Sequence, residues 1–396
     1  MERFLKLLIL IQFALCPLLV YRGMNYKKSI PELTNEQVYS NEGDLISLNN
    51  QDYKDSFEEM INYYQTNIKP THRRRVFSRK PNTCEPYKYF IFRKTSKTGS
   101  STVSSIFFRY GLYNDLKVAL PNPMSSMMIG IANSTVRVHR TCNDPSTEFN
   151  FMANHIFRYD YNVLKNFIPR AKFITIIRSP IDSFESKFYF MNYDKRYKLD
   201  NQSNPLETFL LDNTYQEYLD SVLVSRVSTW FNVTNGVRLL EMEKEFDLVM
   251  ITEYMDESLV LLKKMMCWTF DDIIYRSQKV SEIQRPPMTK EMGQVIGERL
   301  SLDTRVYEHF NQSLWRKIQN YDGDFYTDLS IFRMKLSESA EKCRTMKNNN
   351  EYCQLLEDDV STLQRKIAFK QHKDLCDKNL TNKEWHSRQP LKQLIK

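Results

Sequence analysis

The sequence predicts an α/β fold, in which buried strands alternate with helices. Three units repeat one order along the chain: an apolar run typical of a buried strand, a short turn, and a segment with helical spacing. The strands are predicted at residues 87–93, 171–178 and 247–251. Since open α/β sheets bind ligands beyond the carboxyl ends of their strands, we expect functional side chains in the turns.

The first unit spans residues 87–111. Its strand is rich in aromatic and β-branched residues, and apolar residues then recur at helical spacing: Val103, Ile106, Phe107 and Tyr110. Gly111 is the predicted end of this helix.

The turn of the first unit, Lys97 to Thr102, has the chemistry of a phosphate-binding loop. The first amides of a helix lack acceptors within it, and the helix dipole adds partial positive charge there. Gly99 lets the backbone approach a ligand, and four residues offer hydroxyls: Thr98, Ser100, Ser101 and Thr102. Because Lys97 precedes Gly99, the order differs from a Walker A loop, so a nucleoside triphosphate fits poorly. The alternative is an ordinary turn with a solvated lysine.

The second unit places a further anion-binding pair after a strand. Arg178 ends the strand, Pro180 suits the first turn of the next helix, and Ser186 follows within that helix. An arginine fork and a serine hydroxyl can converge on one phosphate. Alternatively, Arg178 pairs with Asp182 or Glu185.

The third unit is predicted to add a third strand to the sheet and a helix that packs against it. The helix at residues 253–268 turns one face toward the sheet: Leu259, Val260, Leu262, Lys263 and Met266. This stripe of leucine and methionine is interpreted as core. Residues 276–292 are polar and basic and are predicted to loop over the site, and residues 337–372 are predicted to form a helical hairpin closed by Cys343 and Cys353.

The amino-terminal segment and the composition indicate a cellular compartment. Residues 4–21 form an apolar run just long enough to span a membrane, which predicts a signal-anchor, although a cleaved signal peptide is the alternative. The net charge of +8 suits an anionic cofactor or a membrane surface, and it is too diffuse to indicate nucleic acid. The predicted division is a short cytoplasmic tail at 1–3, the anchor at 4–21, a luminal stem at 22–85, a catalytic domain at 86–345, and a helical extension or tail at 346–396.

Sequons and cysteines support a luminal location. The sequons lie past the apolar run, at Asn133, Asn201, Asn232, Asn311 and Asn379. An even set of cysteines also follows it and suits disulfides, without a unique pairing: Cys84, Cys142, Cys267, Cys343, Cys353 and Cys376.

Several stretches together resemble the galactose-3-O-sulfotransferase family, which includes galactosylceramide sulfotransferase. They lie at residues 92–111, 154–160, 173–188, 253–268 and 307–317. The resemblance implies a P-loop-like fold, with a central, mostly parallel sheet flanked by helices. It also implies a Golgi type II membrane enzyme that uses 3′-phosphoadenosine 5′-phosphosulfate (PAPS) and no metal. The expected acceptor is the 3-hydroxyl of galactose on a glycolipid or a glycan, and a homodimer is compatible with the sequence.

The resemblance also implies roles for individual residues. The turn from Lys97 to Thr102 would hold the phosphosulfate, with Lys97 stabilising the leaving phosphate, and Arg178 and Ser186 would bind the 3′-phosphate. His155 matches a family segment and is the candidate base, although it could instead hold a turn by hydrogen bonds.

Ser96 is a departure, because most family members carry a histidine at this position. The departure leaves a slow enzyme, or an inactive luminal carbohydrate-binding relative, as an alternative. A P-loop kinase is a further alternative, disfavoured by the order of the loop.

Overall fold

The computed structural model describes residues 84–122, 128–140, 147–223, 227–278, 285–346 and 350–376. The predicted cytoplasmic tail, the signal-anchor, nearly all of the stem, Cys142 and the Asn379 sequon lie outside the described residues. Within the described ranges, no helix combines the length and apolarity needed to cross a membrane. The described residues all belong to one unit, residues 72–379.

Eight strands in the described ranges form two sheets. They are β1 Phe90–Arg93, β2 Leu120–Pro121, β3 Met128–Ala132, β4 Thr135–His139, β5 Phe151–Met152, β6 His155–Phe157, β7 Lys172–Ile177 and β8 Leu248–Ile251. The central sheet has the order β5-β1-β7-β8, and all its strands are parallel. The predicted strands of all three units are therefore confirmed, and they are neighbours in one sheet.

The register of the central sheet aligns the ends that matter for the site. Arg93 pairs with Thr175, and Ile177 at the end of β7 pairs with Ile251 at the end of β8. β1 and β8 are buried along their whole length, as expected for parallel strands covered on both faces. The turns after β1, β7 and β8 therefore emerge at one edge.

A second sheet, of order β2-β4-β3-β6, lies outside the predicted units. β4 pairs antiparallel with β2 and with β3, whereas β6 pairs parallel with β3. This sheet supplies His155, the first residue of β6.

The described ranges contain fourteen α-helices. They are α1 Ser100–Tyr113, α2 Tyr161–Phe167, α3 Pro180–Phe190, α4 Tyr193–Arg196, α5 Pro205–Leu211, α6 Gln216–Val222, α7 Val227–Trp230, α8 Gly236–Glu245, α9 Met255–Met266, α10 Lys290–Arg299, α11 Ser301–Gln319, α12 Phe325–Thr345, α13 Glu351–Glu357 and α14 Val360–Leu375. With the parallel sheet, they confirm the predicted α/β class.

Helix α1 is buried along most of its length against the central sheet. The Phe107 ring lies 4.7 Å from that of Phe90 and 5.1 Å from that of Phe92, measured between centroids. The prediction that Gly111 ends this helix is wrong, because α1 continues to Tyr113. Gly111 instead allows close packing, since a Cβ there would lie 2.8 Å from the Phe151 ring.

The later predictions have mixed outcomes. Helix α9 begins at Met255, because residues 252–254 form a 3₁₀ turn, and its predicted apolar face is buried except for the half-buried Lys263. The loop predicted for residues 276–292 ends early, because α10 begins at Lys290 behind a Thr289 cap. Residues 337–372 do not form a two-helix hairpin: they run from the end of α12 through α13 into α14.

Disulfides are present at two described cysteine pairs. The predicted Cys343–Cys353 bridge is confirmed and joins α12 to α13. A second bridge, Cys84–Cys267, connects the start of the described chain to the residue after α9.

The described sequons differ in exposure. Asn133, Asn201 and Asn232 are exposed, whereas Asn311 lies within α11 and is only 5% exposed. Asn311 is therefore no accessible acceptor for a glycan in the folded protein.

Candidate active site

The turn between β1 and α1 has an unusual backbone. Lys97 and Gly99 both adopt left-handed conformations, with φ of 64° and 66°. Gly99 is suited to this, and a Cβ there would also lie 3.1 Å from Met255 Cε. A lysine rarely adopts positive φ, so the turn holds Lys97 in a strained conformation, as is common at functional sites.

Hydroxyl groups of this turn maintain its shape. The Oγ1 atoms of Thr95 and Thr98 lie 2.7 Å apart, and the Ser100 hydroxyl donates to the Thr95 carbonyl. Thr102 Oγ1 accepts a hydrogen bond of 3.0 Å from the Gln278 amide. The amides of Ser100 and Ser101, in the first turn of α1, have no acceptor within the helix by its geometry. These amides are the turn's best donors toward an anion.

Two of the predicted cations lie together in one cleft beside this turn. Lys97 and Arg178 both line it, and Arg178 Nη1 lies 3.5 Å from the Lys97 carbonyl oxygen. Lys97 Nζ lies 3.9 Å from the centre of the Phe190 ring, and Phe190 is 61% exposed. The structure thus brings Lys97 and Arg178 together in one cleft, because each follows one of two neighbouring parallel strands.

Helix α3 contributes different residues to the cleft from those predicted. Ser183 and Lys187 line it together with Ser96, whereas Ser186 is buried and is not among its described lining residues. Lys187 is 6% exposed and its Nζ donates to the Val222 carbonyl. The sequence missed Lys187 because the residues that bury it lie far along the chain.

Glu253 is the carboxylate partner of Arg178. Its Oε1 lies 3.9 Å from Arg178 Nε and accepts a 3.0 Å hydrogen bond from the Ser179 amide. Glu185, one of the expected partners, pairs instead with Arg285 at 3.0 Å. Burial raises the pKa of Glu253, with the Ser179 hydrogen bond and the Arg178 charge opposing that rise.

Thr252 connects the turns after β1 and β7. Its hydroxyl lies 2.8 Å from the Thr98 carbonyl and 2.9 Å from the Ile177 carbonyl. Neither Thr252 nor Glu253 was predicted as a site residue. The available signal was position, because both follow β8 at the edge where the other two turns emerge.

His155 lies beside the same turn. Its Nδ1 is 3.0 Å from the Lys94 carbonyl oxygen. Because a carbonyl only accepts, Nδ1 carries the proton in the neutral ring, and Nε2 carries the lone pair. This tautomer suits a base, although the hydrogen bond to Lys94 is also what a purely structural histidine would make.

Helix α7 lies between His155 and the cleft and is fixed at both ends. Asp303 accepts the amides of Val227 and Ser228 at 3.2 and 2.8 Å. At the other end, Arg93 donates to the Trp230 carbonyl at 2.7 Å. Val227 and Asp303 line the cleft, while the Trp230 ring contacts that of His155, edge to face, at 6.2 Å between centroids.

Arg93, which donates to the last residue of α7, is a deeply buried cation. It is 3% exposed, and its guanidinium carbon lies 4.8 Å from the Tyr159 ring centre and 4.3 Å from that of Phe231. Burial lowers the pKa of Arg93 to about 9, so it stays charged near neutral pH. Arg93 could not be singled out from the sequence, where it is only the last residue of a predicted strand.

A parallel α/β sheet whose strand ends present a lysine-bearing turn and an arginine is an arrangement that can hold a phosphorylated ligand. The sequence profile of the galactose-3-O-sulfotransferase family matches residues 58–343. The chain belongs to the galactose-3-O-sulfotransferase family.

Individual relatives agree with this assignment. Galactosylceramide sulfotransferase of Mus musculus is 34% identical over 259 residues, covering 60% of this chain and 59% of the relative. Galactose-3-O-sulfotransferase 2 of Homo sapiens is 31% identical over 255 residues, covering 59% and 62%. The chain thus spans about three fifths of the length of the curated relatives it matches.

A crystal structure of a sulfotransferase from Alicyclobacillus acidocaldarius also matches. It is 12% identical, with a TM-score of 0.29, and the match covers 59% of this chain and 99% of that one. A score this low supports no conclusion about the chain.

Proposed function

We propose that this protein is a sulfotransferase that transfers a sulfuryl group from PAPS to the 3-hydroxyl of a terminal galactose. The observation that carries the proposal is the meeting of Lys97 and Arg178 in one cleft, beside a strained turn and a helix amino terminus. Membership of the galactose-3-O-sulfotransferase family supplies the reaction class. The names of the relatives supply galactose as the acceptor sugar.

The donor set of the cleft fits a doubly phosphorylated ligand. Three cationic side chains, Lys97, Arg178 and Lys187, line it with one acidic side chain, Asp303. Asp303 already accepts two backbone amides, so it caps α7 as well as lining the cleft. Lys187 already donates to the Val222 carbonyl and Arg178 faces Glu253, so Lys97 and Arg178 are the side chains proposed to meet phosphate and sulfate groups.

In the proposed complex, PAPS supplies the sulfuryl group together with a nucleotide that leaves readily. Lys97, Thr98, Gly99, Ser100, Ser101 and Thr102 form the turn that would hold the phosphosulfate. Lys97 Nζ would stabilise negative charge on the leaving phosphate, and the amides at the start of α1 would add to this effect. Arg178, with Ser186 or the neighbouring Ser183, would bind the 3′-phosphate.

His155 is proposed to remove the proton from the acceptor hydroxyl. Its Nε2 carries the lone pair when Nδ1 donates to Lys94. Ser96, which lines the cleft, is no base near neutral pH, so the histidine common at that position in the family has no equivalent there. The proton therefore passes to a single imidazole.

The proposed location is the Golgi membrane, with residues 4–21 as a type II signal-anchor and the catalytic domain in the lumen. The apolar run in the sequence supports this, and so do the two described disulfides, which suit an oxidising compartment. Galactosylceramide-like glycolipids and galactose-terminated glycans are both proposed acceptors.

The decisive experiment incubates the purified luminal domain with ³⁵S-labelled PAPS and one acceptor at a time. Galactosylceramide, a galactose-terminated glycan and the matching glucosides form the acceptor set. Label in the galactosides alone supports the proposal. Binding of galactosides with no transfer would instead indicate an inactive relative, and phosphoryl transfer from ATP would indicate a kinase.

A further inference from the structure

We propose that Trp230 and Phe157, both close to His155, form the subsite that takes the acceptor sugar, with the apolar face of a galactose ring against the Trp230 indole. This inference rests on the proposed function and assigns the specificity for galactose to particular side chains. The observations behind it are the exposed ring of Phe157, the half-buried Trp230 and the nearness of both to the candidate base.

The strand that carries His155 also presents Phe157 on the same side. Residues two apart on a strand face the same way, and the pattern along β6 is half-buried, buried and exposed. Ile156 points into the core at 4% exposed, whereas Phe157 is 40% exposed. A large apolar ring is therefore exposed to solvent next to the candidate base.

Trp230 is a second aromatic residue beside His155. Its indole is half-buried, and it meets the His155 ring edge to face at 6.2 Å between centroids. Arg93 and Asp303 fix the two ends of α7 through backbone groups. The indole is thus presented by a braced helix whose first residue, Val227, lines the cationic cleft.

The stereochemistry of galactose makes it a better ligand than glucose for this subsite. In galactose the axial 4-hydroxyl leaves the hydrogens on carbons 3, 4 and 5 on one face, which is apolar and slightly positive. Aromatic faces carry negative charge density and attract such a surface. In glucose the hydrogen on carbon 4 lies on the opposite face, so the contact is smaller. Stacking on Trp230 therefore favours galactose and would hold the sugar beside the His155 ring, which contacts the indole.

The test measures initial rates of sulfuryl transfer with varied galactoside and varied PAPS. Trp230→Ala is expected to raise the KM for the galactoside about tenfold, the size of one aromatic stacking contact, and to leave the KM for PAPS within about twofold. It should also narrow the preference for galactoside over glucoside. Trp230→Phe keeps a ring and should stay within about threefold of wild type.

Tyr326→Ala is the matched control, because Tyr326 is a 64% exposed aromatic residue on α12. Thermal melting checks that each variant is folded, and the bond from Arg93 goes to a main-chain carbonyl that every Trp230 variant keeps. An unchanged galactoside KM in folded Trp230→Ala would overturn the proposal.

Saturation-transfer NMR with methyl β-galactoside tests the subsite without turnover. In the wild-type protein, magnetic saturation should pass most strongly to the galactoside protons on carbons 3, 4 and 5. In Trp230→Ala this pattern should be lost. If the wild type transfers no sulfuryl group yet shows the pattern, the proposed function fails and the sugar subsite stands. The same pattern in both proteins would overturn the subsite alone.

Discussion

Lys97 is held at positive φ with its amine over the Phe190 ring, so the chain fixes both its backbone and its side chain. We predict that Lys97→Ala lowers the rate of sulfuryl transfer by at least about a hundredfold, the usual loss on removing one well-placed electrostatic group. Lys88→Ala, at an exposed position, is the control. Near wild-type rates in folded Lys97→Ala would remove Lys97 from the mechanism.

His155 is predicted to act as the only imidazole base. His155→Ala should lower turnover by about 10²- to 10⁴-fold, the usual contribution of a general base. The affinity for 3′-phosphoadenosine 5′-phosphate (PAP), the nucleotide that remains after transfer, should change little. The wild-type rate should fall as pH drops through a single ionisation, because a protonated imidazole accepts no proton.

Ser96→His separates the two positions that could carry a base. Introduced alone it should change turnover little, and it should not restore activity to His155→Ala. Rescue would show that the base belongs to the turn after β1, and His155 would then be a structural residue.

Arg178 should recognise one particular phosphate. Arg178→Ala is expected to weaken PAP binding by at least about tenfold, because a charge-assisted fork is lost. Binding of adenosine 5′-phosphosulfate, which lacks the 3′-phosphate, should change far less. Isothermal calorimetry on both ligands provides the comparison, and equal losses would place Arg178 elsewhere in the site.

At the scale of elements, the packing of α1 on β5 depends on Gly111. Gly111→Ala should lower the free energy of unfolding by about 1–3 kcal/mol, because the added methyl overpacks the contact with Phe151. Gly297 is the matched control: it also lies inside a helix, and a Cβ there meets no heavy atom within 4 Å. Gly297→Ala should stabilise by about 0.5–1 kcal/mol through helix propensity. Urea unfolding measures both, and similar values would refute the packing role.

The sequence predicted elements well where one segment carries its own signal. The strands of the central sheet are continuous apolar runs because both faces are covered, and Pro180 marks the start of α3. In the second sheet, which the three predicted units did not include, β2 and β6 are too short to show a period. Gly111 was misinterpreted because a glycine that ends a helix and one that permits close packing look alike in sequence.

The candidate site was predictable to the extent that it depends on strand ends. Lys97 and Arg178 were found because parallel strands bring their carboxyl ends together. Lys187, Asp303 and Glu253 were missed because their burial and partners come from segments distant in sequence. No local pattern reports such contacts.

At the scale of the whole molecule, the two described disulfides should contribute unequally. Cys84 and Cys267 are 183 residues apart, whereas Cys343 and Cys353 are 10 apart. In the chain-entropy model, closing these loops stabilises by about 5 and about 3 kcal/mol. The double variant Cys84→Ser/Cys267→Ser should therefore lose more stability to urea than Cys343→Ser/Cys353→Ser. An equal or reversed order would show that strain or residual structure outweighs loop length.

The hydroxyl of Thr252 touches the carbonyls of Thr98 and Ile177, so one side chain sets the spacing between the turns after β1 and β7. With PAPS as the proposed donor, this contact would set the distance between the groups that bind the phosphosulfate and the 3′-phosphate. The two anion-binding turns are preorganised by folding, and a nucleotide need not order them when it binds. A nucleotide whose phosphates are consecutive, as in a 5′-triphosphate, would occupy the turn after β1. It would place no phosphate beside Arg178 in the turn after β7. Under the proposed function, Thr252 thus contributes to the choice of nucleotide by holding the two turns at one spacing.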